Sequence, residues 1–98
     1  MKKAMGTVVY EPEDVNYNFE SISDFKWCMK CHGEVQFAHG DKSYSITHRA
    51  TGQISISEAN KQETEKLCDT ADEVLEYVVN GERLRDIITK VKVTERTI

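Results

Sequence analysis

Proline occurs once in 98 residues, glycine five times, and no apolar run exceeds two or three residues. Each shortage excludes something. Without proline or glycine tracts there is no low-complexity or collagen-like segment. Runs this short cannot cross a bilayer as a helix. The basic start Met1-Lys2-Lys3 has no apolar stretch behind it, so no signal peptide is expected. The chain then reads as cytoplasmic, with Cys28, Cys31 and Cys68 as reduced thiols. Gly6, Gly33, Gly40, Gly52 and Gly81 are isolated, so there is no glycine-rich phosphate loop. No serine sits in a G-x-S-x-G elbow. A chain this short also offers little scaffold to enclose a small-ligand pocket. Catalysis is therefore not expected, and neither is a cofactor. Cations are in deficit, with 13 Lys and Arg against 17 Asp and Glu. That argues against a binder of double-stranded nucleic acid, which needs an excess of phosphate-neutralising side chains.

Apolar residues make up 39% and charged residues 31%, a globular balance that suits one domain over residues 1–98. Charge is unevenly spread. Glu11, Glu13, Asp14, Glu20 and Asp24 form a segment without a base. Asp69, Asp72, Glu73 and Glu76 follow in a second acidic stretch. Arg83, Arg85, Lys90, Lys92 and Arg96 reverse the sign. Such a dipolar surface can steer a charged partner.

The periodicities predict an α+β fold. Residues 1–20 read as an N-terminal strand, Thr7 to Tyr10, and a partly flexible loop. Ser21-x-x-Asp24 is a capping box. Behind it Ile22, Phe25, Cys28 and Met29 fall on one helix face, with Gly33 as the C′ stop. Three runs then alternate with period two: Val35 and Phe37; Tyr44, Ile46 and His48; Ile54 and Ile56. Joined by Gly40-Asp41 and Thr51-Gly52, they predict a three-stranded antiparallel meander. The span 63–68 fits either a fourth meander strand or a loop. Two short helices should complete the cover on one sheet face. The first starts at the Thr70-x-x-Glu73 box, carries Val74, Leu75 and Val78, and stops at Asn80-Gly81. The second, over 82–89, carries Leu84, Ile87 and Ile88 and gives way to a C-terminal strand over 90–97.

The runs Lys42-Ser43-Tyr44-Ser45-Ile46-Thr47-His48, Thr70-Ala71-Asp72-Glu73-Val74-Leu75 and Asn80-Gly81-Glu82-Arg83-Leu84-Arg85-Asp86-Ile87-Ile88 resemble small uncharacterised proteins of Gram-positive bacteria and their phages. The likeness spans roughly residues 20–95. It implies an α+β domain and a mobile-element origin, and it carries no assigned activity or site residues.

Cys28-Met29-Lys30-Cys31-His32 matches C-x-x-C-H, the attachment pattern of c-type haem. Covalent attachment requires export, and no methionine follows Met29 to serve as a second axial ligand. Zinc would need Cys28, Cys31 and His32 joined by His39, His48 or Cys68, without a second closely spaced pair. No metal site is expected. The preferred reading is a non-catalytic module that binds another protein and masks its surface, with an anti-defence inhibitor as its phage-type form. Its candidate contacts are Trp27, the residue type most enriched at interface hot spots, and the acidic residues Glu11, Glu13, Asp14, Asp69, Asp72, Glu73 and Glu76. The competing reading is an oligomer that sequesters a small nucleotide through Arg83, Arg85, Lys90 and His48. A homo-oligomer is compatible with both.

Overall fold

The computed structural model describes residues 17–97. The strand expected at Thr7 to Tyr10, and the acidic residues Glu11, Glu13 and Asp14, lie outside the described residues. Helix α1 spans Ile22–Lys30. The Ser21 hydroxyl accepts the Asp24 N–H at 3.0 Å, and the Asp24 carboxylate accepts the Glu20 N–H at 3.1 Å. The first bond satisfies an amide that a helix start leaves open, and the second ties down the residue before the cap. Phe25, Cys28 and Met29 are buried, whereas Ile22 is partly exposed, so the apolar stripe begins one turn later than its spacing suggests.

The other end differs from expectation by one residue. His32 donates its N–H to the Met29 carbonyl at 3.0 Å, and Gly33 to Cys28 at 2.8 Å. This is a Schellman closure in which C′ is His32, at φ 59°, and not Gly33. Histidine enters the left-handed region more readily than most side chains, though at more strain than glycine.

The remaining elements are β1 (Val35–His39), β2 (Lys42–His48), β3 (Ile54–Glu58), β4 (Lys61–Cys68), α2 (Ala71–Val74), β5 (Val78–Val79), β6 (Glu82–Arg83), α3 (Leu84–Ile87) and β7 (Lys92–Arg96). Five strands form one antiparallel sheet in the order β4-β3-β2-β1-β7. The meander thus has four strands, since Lys61–Cys68 is paired, and β7 closes onto the free edge of β1. Register places Val35, Phe37, Tyr44, Ile46, Ile54, Ile56, Cys68 and Val93 on one face. All are buried, and with the helices they make one core. The ten residues expected there, Phe25, Val35, Phe37, Ile46, Ile56, Val74, Leu75, Leu84, Ile87 and Ile88, are all buried. The opposite face carries Gln36, Ser45, Ser57, Thr47 and Ser55 in adjacent rows.

The second helix is a single turn. Thr70 accepts the Glu73 N–H at 3.2 Å, and Glu73 reaches back one residue past the cap to accept the Asp69 N–H at 2.6 Å. Asn80-Gly81, however, does not end a helix. With φ 53° and 84° the pair is the two-residue turn of the β5–β6 hairpin, and Val78 is exposed. Positive φ at both positions is what a type I′ turn requires. A Cβ on Gly81 would meet no atom within 4 Å, so a substitution there acts through the backbone alone. Gly81→Val is expected to cost about 1–2 kcal/mol, lowering Tm by about 5–10 °C, whereas Gly81→Asn should change it little. A melting curve of Gly81→Val that overlays the parent would show that this turn has another conformation.

Candidate functional site on helix α1 and its flanking cleft

The C-x-x-C-H motif is pulled apart by the fold. Cys28 and Cys68 are buried in the core, where desolvation pushes both thiols up and keeps them protonated. Cys31 is only partly exposed, His32 is exposed at the helix end, and His39 faces Glu82 at 3.7 Å. Among the described residues no three His, Cys, Asp or Glu side chains converge as a metal-binding group. What the fold does bring together is one histidine pair. The rings of His32 and His48 lie 5.1 Å apart between centroids, tilted by 36°. Both ring nitrogens of His48 are sealed from solvent. Burial holds its imidazole below the usual histidine range and His32 adds to that, while the Met29 backbone and Glu34 pull the other way.

The second acidic stretch is engaged internally. Asp72 pairs with Lys26 at 3.1 Å, Glu73 caps its own helix, and Asp69 accepts from the Gln53 amide at 3.4 Å. Glu76 pairs with Arg83 at 3.4 Å and Arg85 at 2.5 Å. The Arg85 hydrogen bond first, and the nearby Arg83 charge as well, hold the Glu76 carboxyl below its usual range. Of the acids offered as partner contacts, Glu76 therefore faces both arginines offered as phosphate contacts. These are exposed pairs of small energetic weight, but they oppose the charges of Asp72, Glu76, Arg83 and Arg85 within the fold. His48 is not near the other phosphate candidates in one site: the cleft it lines contains none of Arg83, Arg85 or Lys90.

That cleft, of about 360 Å³, runs between the end of α1, the start of α2 and the β2–β3 ends. Lys26, Lys30, His32, His48, Asp69 and Asp72 supply its polar wall. On a 3.6-residue helix Lys30 is also the i+3 neighbour of Trp27 and lies on the same outward arc as Ser23. Trp27 itself is 58% exposed. Among the described residues Lys30 makes no ion pair, in contrast to Lys26. Charge counting along the sequence passed over Lys30 because the surrounding segment is not basic. Its helical phase relative to Trp27 was the available signal.

A second depression of about 470 Å³ lies on the outer sheet face around Ser45, Thr47, Ser55 and Ser57. Its central acid, Glu65, accepts hydrogen bonds from Ser55 and from Arg49, the latter at 2.6 Å, which ties β4 across β3 to the end of β2. The Ser55 and Arg49 bonds hold the Glu65 carboxyl below its usual range. This network reads as a strand clasp.

No helix among the described residues is long and apolar enough to cross a membrane. Set beside known proteins, the chain matches no family model, no curated sequence and no solved structure.

Proposed function

We propose that the chain is a non-catalytic protein-binding module whose contact surface is the outward arc of α1, anchored by Trp27. The observation that carries this is the exposure of the only tryptophan, 58%, on a helix whose opposite face is fully packed. Burying an aromatic of this size against a partner is the largest gain any single side chain here offers. Lys30 beside it makes no ion pair among the described residues, so the complementary surface is an apolar pocket with an acidic rim. This changes the expected sign of the partner: of the described acids, Asp72 and Glu76 are opposed by internal cations, and Asp69 and Glu73 are held in local hydrogen bonds. The module would act by masking the surface it covers.

The test uses the full chain as bait in lysate of its source cells, with Trp27→Ala alongside. Any protein recovered is then titrated against both, following the emission of Trp27 in the parent and calorimetric heat in the variant. Trp27→Ala should weaken binding about 30-fold or more while melting at the parental temperature. Equal affinity of the two chains would remove α1 as the contact.

A further inference from the structure

The N-terminal end of α1 is pinned by an ion pair, with the Arg96 guanidinium 2.7 Å from the Asp24 carboxylate. Its C-terminal end is held otherwise. The last turn closes on His32 in the left-handed region, and the His32 ring rests on His48, whose nitrogens are sealed from solvent. A neutral imidazole tolerates that environment, because it carries no charge to desolvate. An imidazolium does not, because its charge would be desolvated. We propose that the His32–His48 contact is an acid-sensitive latch that holds the C-terminal turn of α1 on the sheet at neutral pH and releases it when His48 gains a proton.

The surrounding charges decide the direction. From α1, Lys26 and Lys30 line the same cleft and repel a charged ring. From the α1–β1 turn, His32 repels when charged and Glu34 attracts. From the start of α2, Asp69 and Asp72 oppose them, though Asp72 is already paired with Lys26. From β3, the residue opposite His48 is Ile54, which offers no charge. Burial outweighs these terms and holds folded His48 below its unfolded value. The unfolded ring therefore takes a proton more readily than the folded one. The stability due to neutral His48 is full above about pH 6.5 and is lost as pH falls below it. Carboxylates with ordinary values stay ionised through that window, so the event belongs to histidine. This inference stands whether or not Trp27 meets a partner.

Hydrogen exchange reads the latch directly. The amides of Cys31, His32 and Gly33 are bonded to Trp27, Met29 and Cys28 and report on the last turn. Their protection factors, corrected for the intrinsic pH dependence of exchange, are measured at about pH 7.5 and about pH 5.5. Protection in the parent should fall about tenfold, the equivalent of one unit of differential protonation. In His48→Phe, which keeps an aromatic ring without a titrating group, it should stay level. His32→Asn, which tolerates the left-handed conformation, should show a smaller fall than the parent and decides the matter alone if His48→Phe does not fold. Unchanged protection in the parent would overturn the proposal. So would a parental-sized fall in His48→Phe or, failing that, in His32→Asn.

Discussion

Phe25→Ala is expected to lower the free energy of unfolding by about 4 kcal/mol. Phe25 is fully buried, and its ring meets Phe19 edge-on with centroids 5.2 Å apart. Truncation removes the transfer free energy of the ring and leaves a cavity between α1 and the segment leading into it. That segment, from Tyr17 to Glu20, has no regular secondary structure through which to collapse into the gap. A domain of this size has only about 5–10 kcal/mol in total, so the variant would sit near its folding threshold at 37 °C. Urea denaturation at 25 °C measures the change. Phe25→Leu, which refills part of the volume, should cost about half as much. A loss under about 1 kcal/mol for the alanine variant would mean that α1 is not seated on Phe19 as described.

Arg96→Ala is expected to cost about 2–3 kcal/mol, more than any other charge removal in the chain. Arg96 lies on the packed face of β7 opposite Val35, and its side chain is only 14% exposed. It donates to Asp24 at 2.7 and 3.3 Å and to the Tyr17 carbonyl at 3.3 Å, and it lies 4.3 Å from the Phe19 ring centroid. Its loss strands a partly buried carboxylate and uncovers an aromatic face. The Arg96 hydrogen bond is the main cause that holds the Asp24 carboxyl below its usual range, with the Glu20 amide helping and burial opposing. A carboxylate of this kind stabilises the fold fully above its unfolded value, near 4, and the gain is lost as pH falls through the lowered folded value. The gap in stability between the parent and Asp24→Asn should therefore be constant above about pH 5 and close progressively below about pH 4. Chemical denaturation at stepped pH checks this. A gap that persists at about pH 2 would show that Asp24 acts through its shape and not its charge.

Much of this corner was readable in advance. Ser21 and Asp24 mark the helix start, Phe25, Cys28 and Met29 give its buried phase, and that same phase puts Trp27 outside. Val35 to Ile46 alternate because one face of β1 and of β2 is wetter than the other. What was not legible depends on packing between distant residues. Val74, Leu75 and Val78 stand at helical spacing, so Asn80-Gly81 reads as a helix stop. Yet an Asn-Gly pair between Val79 and Glu82 is also a hairpin signal, and only packing decides between them. Strand β4 gives no alternation because it lies at an edge, where Lys61, Glu63 and Lys66 discourage further pairing. The acidic stretch looked unopposed because its cations, Lys26, Arg83 and Arg85, come from other elements. The His32–His48 pair is a contact across 16 positions, and neither residue signals it alone.

The pairing of β1 with β7 has a consequence for how the chain is made. The four-strand meander is contiguous, but the last neighbour of β1 lies beyond residue 91. At ordinary rates of translation the ribosome takes about 3–10 s to add the intervening stretch. Through that interval the nascent chain presents β1, with Val35 and Phe37, as an open edge onto which any extended peptide could add as a further strand. Closure of the sheet thus waits for β7, and chaperone engagement should concentrate on chains halted before β7 emerges.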